Sequence, residues 1–278
     1  MNITQVYAVY FSATGNTRKV TTTLANALAV SFDVPLEVRD FTLPAAREEA
    51  YEFAAGDLVV FGMPTYAGKL PNKLLDFVKS GFHGNGALAV PVVTFGNRSF
   101  DNSLAELCAC LEGDGFHTIG AGAFACRHAF TDALAEGRPD SDDMAELAKL
   151  GSAVVGRIVR MTEYPAPVTV DGDADAPYYR PLGLDGEPKV FLKAKPKTDL
   201  DKCIHCGVCA SLCPMGSINP DDVTEVVGVC IKCHSCVRNC PMGAKYFDDP
   251  AFLSHRAMLE RTGVVHGRLE VPWPTHLS

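Results

Sequence analysis

The sequence predicts an α/β protein: a doubly wound, five-stranded parallel sheet followed by a small α+β domain. Three observations lead there. Strand and helix signals alternate through the first 163 residues. A polar loop, "SATGNT" at 12–17, separates the first strand from the first helix. Eight of the eleven cysteines crowd between Cys203 and Cys240. Alternation of this kind builds a parallel sheet covered by helices on both faces.

The elements follow in order. Residues 6–11 read as the first strand. Residues 16–30 carry Val20, Leu24, Ala27 and Leu28 at helical spacing. Strands are expected at 36–40 and 58–62, then a helix at 72–80 with Leu74, Leu75 and Val78 inward. Residues 87–95 form a fourth strand that contains Pro91. Proline cannot donate to a ladder, so only 92–95 is expected to pair well. A helix at 103–111 and a fifth strand at 116–125 follow. Asp140 or Ser141 caps a long helix whose stripe runs from Met144 through Leu147, Leu150, Val154 and Ile158 to Met161.

Residues 164–198 hold six prolines and little periodicity and read as a linker. Tyr178, Tyr179 and Phe191 suggest that it packs on something. The expected division is 1–163, the linker 164–198, the cysteine region 199–249, and a C-terminal helix and tail at 250–278. Asp249 caps that helix, Pro250 opens it and Gly263 ends it; Trp273 lies in an extended tail.

Composition narrows the function. A hydrophobic share of 47% supports a real core, and a net charge of −8 argues against nonspecific nucleic-acid binding. No run of 18 apolar residues suggests a membrane span, and the N-terminus reads as a strand rather than a leader. A cytoplasmic location is expected, and there a cysteine cluster holds metal rather than disulfides.

Two segments align without gaps: "CIHCGVCASLCPMG" from Cys203 and "CIKCHSCVRNCPMG" from Cys230. Each is C-x2-C-x2-C-x3-C-P, the bacterial [4Fe–4S] run in which the fourth cysteine serves the other cluster. That rule assigns Cys203, Cys206, Cys209 and Cys240 to one cluster, and Cys230, Cys233, Cys236 and Cys213 to a second. Zinc in four-cysteine sites is the competing reading, but zinc motifs usually pair two C-x-x-C knuckles. His205 and His234 fall between ligands and read as cluster surroundings. Cys108, Cys110 and Cys126 read as core. The region resembles two-cluster bacterial ferredoxins over about fifty residues.

In the loop, Ser12, Thr14 and Thr17 offer hydroxyls, Gly15 frees the backbone, and the amides at 14–17 open a helix that stabilises a phosphate. The loop has no Lys and is not a P-loop; it also lacks G-x-G-x-x-G. "GNGALA" at 84–89 and "GAGAFA" at 120–125 match the latter loosely but in the wrong context, and read as turns and packing. A monophosphate, as in a mononucleotide flavin, fits best. Loops at the carboxyl ends of parallel strands share one rim, which here brings 12–17, 64–68 and 94–100 together.

S-x-T-G-N-T after the first strand resembles the phosphate loop of flavodoxins, which bind FMN. The resemblance implies a flavodoxin-like sheet and a cradle of Ser12, Ala13, Thr14, Gly15, Asn16 and Thr17. It adds Pro64, Thr65, Tyr66, Ala67 and Gly68, with Tyr66 on one ring face. It also adds Thr94, Phe95, Gly96, Asn97, Arg98 and Phe100, with Phe95 or Phe100 on the other face and the amides at 96–98 at the pyrimidine edge. The whole chain is similar to flavodoxin–ferredoxin fusion proteins. "CRHAFTDALAEGRPD" (126–140) resembles a family loop; His128 there lies near the flavin or the domain junction, or is a packed or capping residue. The implied function is electron transfer between FMN and two [4Fe–4S] clusters, with a redox protein as partner. Two alternatives stand beside it: a flavin reductase acting on a quinone- or nitro-type acceptor, and, more weakly, a redox sensor. Open space above the ring lined by Tyr66, Phe100 and His128 would favour the reductase; closed ring faces would favour the carrier.

Overall fold

The computed structural model describes residues 2–263. The expected tail with Trp273 lies outside the described residues. In chain order the elements are β1 (Gln5–Tyr10), α1 (Asn16–Phe32), β2 (Leu36–Asp40), β3 (Tyr51–Glu52), β4 (Asp57–Pro64), α2 (Leu75–Val78), β5 (Phe82–His83), β6 (Leu88–Phe95) and α3 (Ser103–Gly113). Then come β7 (His117–Thr118), β8 (Gly122–Ala125), α4 (Ser141–Arg160), β9 (Lys197–Thr198), α5 (Val208–Ser211), α6 (Ser235–Arg238), β10 (Lys245–Tyr246) and α7 (Pro250–Gly263).

Strand periodicity explains the layers. In β1, β4 and β6, successive side chains point to opposite faces. Val6, Ala8, Leu58, Val60, Val90 and Val92 pack with Val20, Leu24 and Leu28 of α1 and Leu147, Leu150, Val154 and Ile158 of α4. Val9, Val59, Phe61, Met63, Ala89 and Val93 face the other way, onto Phe41, Phe82 and the Leu104, Leu107 and Leu111 stripe of α3. Each fully buried side chain of this size contributes about 1.5–3 kcal/mol. Asp140 caps α4 by accepting from the amides of Asp142 and Asp143.

The sheet runs β2-β1-β4-β6, with β7 and β8 both on the far side of β6, and every pairing in it is parallel. The five expected strand positions hold six strands, because the fifth is split. The split explains Pro91, which pairs with Phe61 in a strand expected at 87–95 but expected to pair well only over 92–95. In a parallel strand, alternate residues direct their backbone groups to alternate sides. The carbonyls of Ala87, Ala89 and Phe95 accept from His117, Ile119 and Cys126, so odd-numbered residues face β7 and β8. Pro91 is one of them, and it lies between the β7 pairing, which reaches Ala89, and the β8 pairing, which starts at Val92. Its missing N–H therefore faces the gap.

Other differences are local. The helix expected at 72–80 is a single turn, Leu75–Val78, because Leu74 donates to Pro71 O in a tighter preceding turn. A small parallel pair, β3 with β5, carries no sequence pattern long enough to register. Residues 168–179 run along the sheet domain: Val168 and Val170 join its core, and the Val168 amide donates to Thr118 Oγ1, whereas Leu182, Phe191 and Ala194 pack toward α7 and the cysteine region. Antiparallel β9 and β10 close the cysteine region. Asp249 accepts from the Phe252 amide and caps α7, whose Leu259 and Met258 pack on Leu134.

Candidate functional site

α1 starts at Gly15, which takes φ 91° and has no side-chain cap bonded to it. The first-turn amides of a helix have no intrahelical acceptor, and no acidic residue sits in this turn. That is the chemistry a phosphate needs. Two neighbours shape the loop. The Ser12 amide donates to Thr42 Oγ1 (2.8 Å), and Ser12 Oγ accepts from the Arg18 amide (3.0 Å). The Ser12 hydroxyl proton stays free to donate. Asn16 Nδ2 donates to Arg127 O, tying the loop to the segment after β8. Thr17 behaves differently from Ser12. Its hydroxyl is buried and shares a 2.7 Å hydrogen bond with Thr94 Oγ1. The loop thus offers two free hydroxyls, Ser12 and Thr14, rather than three, and Thr17 contributes its amide. Ala13 is a core residue.

The other rim loops are held firmly. Thr65 donates its amide to Thr94 O, and its hydroxyl bonds Ser103 Oγ (2.6 Å). Tyr66 and Lys69 exchange both backbone hydrogen bonds across Ala67 (φ 50°) and Gly68 (φ 78°), a tight turn with left-handed central residues. A Cβ on Gly68 would stand 2.3 Å from Asp101 Oδ2, so the two loops touch. Pro64 ends β4 against Thr94. Phe95 is buried in the core and reaches Phe100 at 5.5 Å; Phe100, half-buried, is the rim aromatic of this pair. Asn97 takes φ 61° and accepts from Arg138 at its Oδ1. Gly96 has no room for a side chain: a Cβ there would lie 2.1 Å from His128 Cδ2.

His128 lies at the junction, packed against Gly96 and Phe130 and half-buried. Its Nδ1 accepts from the Phe130 amide. Burial, then the positive charges of His255, Arg238 and Arg98, hold its pKa down at about 3, so it is neutral.

Lys69 and Glu106, which the sequence pattern did not single out, strap the rim together with Tyr178, Tyr179 and Arg98, which it did. Lys69 Nζ makes a buried ion pair with Glu106 (3.0 Å) and donates to Ala174 O and Ala176 O. The Tyr178 hydroxyl donates to Leu70 O, the Tyr179 amide donates to Ala67 O, and Arg98 stacks on the Tyr179 ring at 3.9 Å. The aromatic residues of the proline-rich segment were the available signal.

The cysteines form two cavities. One, of about 330 Å³, is lined by Cys203, Cys206, Cys209 and Cys240 with Ile204, Met242 and others. The second, of about 370 Å³, is lined by Cys213, Cys230, Cys233 and Cys236 with Met215, Ile218 and Phe247 among others. Each repeat sends its fourth cysteine to the other repeat's cavity. The backbone repeats too: His205 matches Lys232, Gly207 matches His234, and Gly216 matches Gly243, all at positive φ. The Ser217 and Ala244 amides donate to Cys213 and Cys240 Sγ at 3.3 and 3.2 Å. Soft thiolate walls with amide donors to sulfur suit iron–sulfur clusters. Among the described residues, no group of three or more His, Cys, Asp and Glu has the spacing of a single-ion site. His234 is buried and stacks on Phe247 at 4.8 Å, which holds it in a backbone position that Gly207 fills in the first repeat. Cys108, Cys110 and Cys126 are buried, and burial first pushes each thiol up to about 12.

The rim and the second cavity meet. Tyr66, Phe95, Phe100, Met215, Ile231 and Cys233 belong to one packed cluster. Tyr66 is half-buried; desolvation, then the charges of Cys233 and Cys230, pushes its pKa well above the usual phenol value. Arg47 donates to Phe41 O, Thr42 O and Pro214 O, bridging from the sheet to the cysteine region.

Comparison with known proteins agrees with this layout. A family model described as a flavodoxin domain matches residues 7–94, and one described as a 4Fe-4S dicluster domain matches residues 195–241. The chain joins a flavodoxin domain to a 4Fe-4S dicluster domain. The flavodoxin domain implies FMN, and the dicluster domain implies iron–sulfur clusters. Among solved structures, a flavodoxin from the domain Archaea is 17% identical, covering 56% of this chain and 99% of its own, with a TM-score of 0.38. The flavodoxin of Streptococcus pneumoniae TIGR4 is 15% identical over 55% of this chain and 99% of its own, with a TM-score of 0.41. A Fusobacterium nucleatum flavodoxin mutant bound to FMN is 13% identical over 57% and 95%, with a TM-score of 0.34. No curated protein matches the chain. Among the described residues, no helix is long and apolar enough to cross a membrane.

Proposed function

We propose that the protein relays electrons between FMN, held by the rim loops 12–17, 64–68 and 94–100, and two [4Fe–4S] clusters. Cys203, Cys206, Cys209 and Cys240 hold one cluster; Cys213, Cys230, Cys233 and Cys236 hold the other. When bound, a flavin supplies one- or two-electron chemistry and each cluster supplies one-electron chemistry. The observation that carries the reading is the shared wall: Tyr66 of the rim packs in the same cluster as Cys233.

The chain's own residues do the positioning. The α1 amides and the Ser12 and Thr14 hydroxyls bind the phosphate. The bonds from Lys69, Tyr178 and Tyr179 hold the 66–69 turn. Arg47 and Arg238 lock the two domains in register, and Tyr66 packs in one cluster with Met215, Ile231 and Cys233 of the dicluster side. On this reading the chain divides at 163, 198 and 249.

Anaerobic purification tests the reading. About eight irons per chain, with FMN, are expected from two four-iron clusters. About two zincs per chain, or no flavin after reconstitution, overturns it.

A further inference from the structure

We infer that the two cavities stand in series from the flavin rim, and that the outer one, lined by Cys203, Cys206, Cys209 and Cys240, is the docking port for a small one-electron carrier protein with a positively charged face. The inference rests on the relay reading and adds its order and its outlet.

The order follows from packing. Tyr66 and Cys233 share a buried cluster with Met215 and Ile231, which puts the second cavity against the rim. A second packed cluster joins Cys213 and Cys236 of that cavity to Cys203 and Cys209 of the other. The path therefore runs from Tyr66 through the inner cavity to the outer one. The outer cavity then reaches the surface. Cys206 is exposed, and Ile204 and Met242 of its lining are 60% and 47% exposed.

The charge around the rim selects the partner. Lys202 pairs with Asp199, and Lys197 pairs with Asp248. Lys245 is buried and donates to Thr198 Oγ1 and Val223 O, which turns its ammonium inward. Asp201 and Asp222, near Cys203 and Val223 of the lining in sequence, are exposed, and Asp222 lies within electrostatic reach of His205 on the rim. An apolar centre with an acidic border fits a partner whose redox edge is ringed by lysines. Each encounter moves one electron and no proton. The outer centre is oxidised as the carrier's metal is reduced, or the reverse.

The test uses full-length protein carrying iron and FMN, reduced anaerobically and mixed with ferricytochrome c, a basic one-electron acceptor. Ile204→Lys and Met242→Lys place positive charge on the rim without touching a cysteine. Each is expected to slow ferric-haem reduction by about tenfold at low salt. Leu192→Lys, at a residue 81% exposed, is the control expected to leave the rate unchanged. Hydrogen–deuterium exchange with excess ferricytochrome c is expected to protect 200–207 and 240–246. Wild-type rates in both rim variants, or protection at 64–68 and 98–101 instead, overturn the port. Strong protection of 200–207 before the carrier is added means that another part of this chain or a second copy covers the rim, and it overturns the port too. Iron and FMN measured on the same samples separate the two failures. If both are present and the rim variants are unaffected, only the port fails. If iron is absent, the relay reading fails with it.

Discussion

Thr17 illustrates how far one residue's role depends on where its side chain points. Its hydroxyl bonds Thr94 inside the molecule, whereas Ser12 and Thr14 face the loop. A Ser12→Ala/Thr14→Ala variant is expected to bind FMN about a hundredfold or more weakly, since each of the two lost charge-assisted bonds is worth about 1.5–3 kcal/mol, with iron content unchanged. Thr17→Val instead is expected to cost about 1 kcal/mol of stability, read by urea unfolding. Comparable FMN loss in the two variants would mean that the loop is misassigned. His128 carries a pH dependence. An unfolded histidine takes up a proton near pH 6.5, whereas the folded one stays neutral down to about 3. Between those values the unfolded state binds more protons, so stability present above about 6.5 is lost as pH falls. The urea midpoint is expected to fall more from pH 7.5 to 5.5 in the wild type than in His128→Gln. Equal falls would show that His128 is not a source.

At the scale of elements, the links between segments matter more than the elements themselves. Arg238 of α6 donates to Ala129 O and His128 O at 2.9 Å each and to Asp132 Oδ1 at 2.6 Å. Arg238→Ala is expected to destabilise by about 2 kcal/mol or more and to speed hydrogen exchange across 127–134. Unchanged exchange there would show that the loop holds itself. Lys69→Met leaves Glu106 buried without its partner, a loss of about 3–5 kcal/mol. The proline-rich segment around Ala174 and Ala176 is expected to become protease-sensitive in this variant, and resistance would place its anchor elsewhere.

At the scale of the molecule, the cysteine repeats cross. Cys213 lies in the first repeat and lines the cavity of the second. Cys213→Ala is therefore expected to disturb the cluster of Cys230, Cys233 and Cys236, read by EPR of the reduced protein. Selective loss of the signal belonging to Cys203, Cys206 and Cys209 would rule out crossing. The same crossing makes the metal a fold determinant, because few apolar residues are available: the core there is Cys209, Ile218, Val223 and Cys236.

By itself the sequence determined the parallel sheet, the glycine turn of the 12–17 loop that opens α1, and the two cysteine sets, because periodicity, the glycine turn and fixed cysteine spacing are local signals. It also set α4 and α7, whose caps at Asp140 and Asp249 lie next to the residues they serve. It did not carry the place of Pro91, since the gap that accommodates its missing N–H belongs to another strand. It did not carry the inward turn of Thr17, whose partner is 77 residues away. Only the tertiary structure decided which cavity meets the rim. The repeats are nearly identical in pattern, and what distinguishes them is the packing of Tyr66 against Cys233 and the bonds of Arg47 and Arg238 across the domains. Such contacts join distant segments, and no local pattern encodes them.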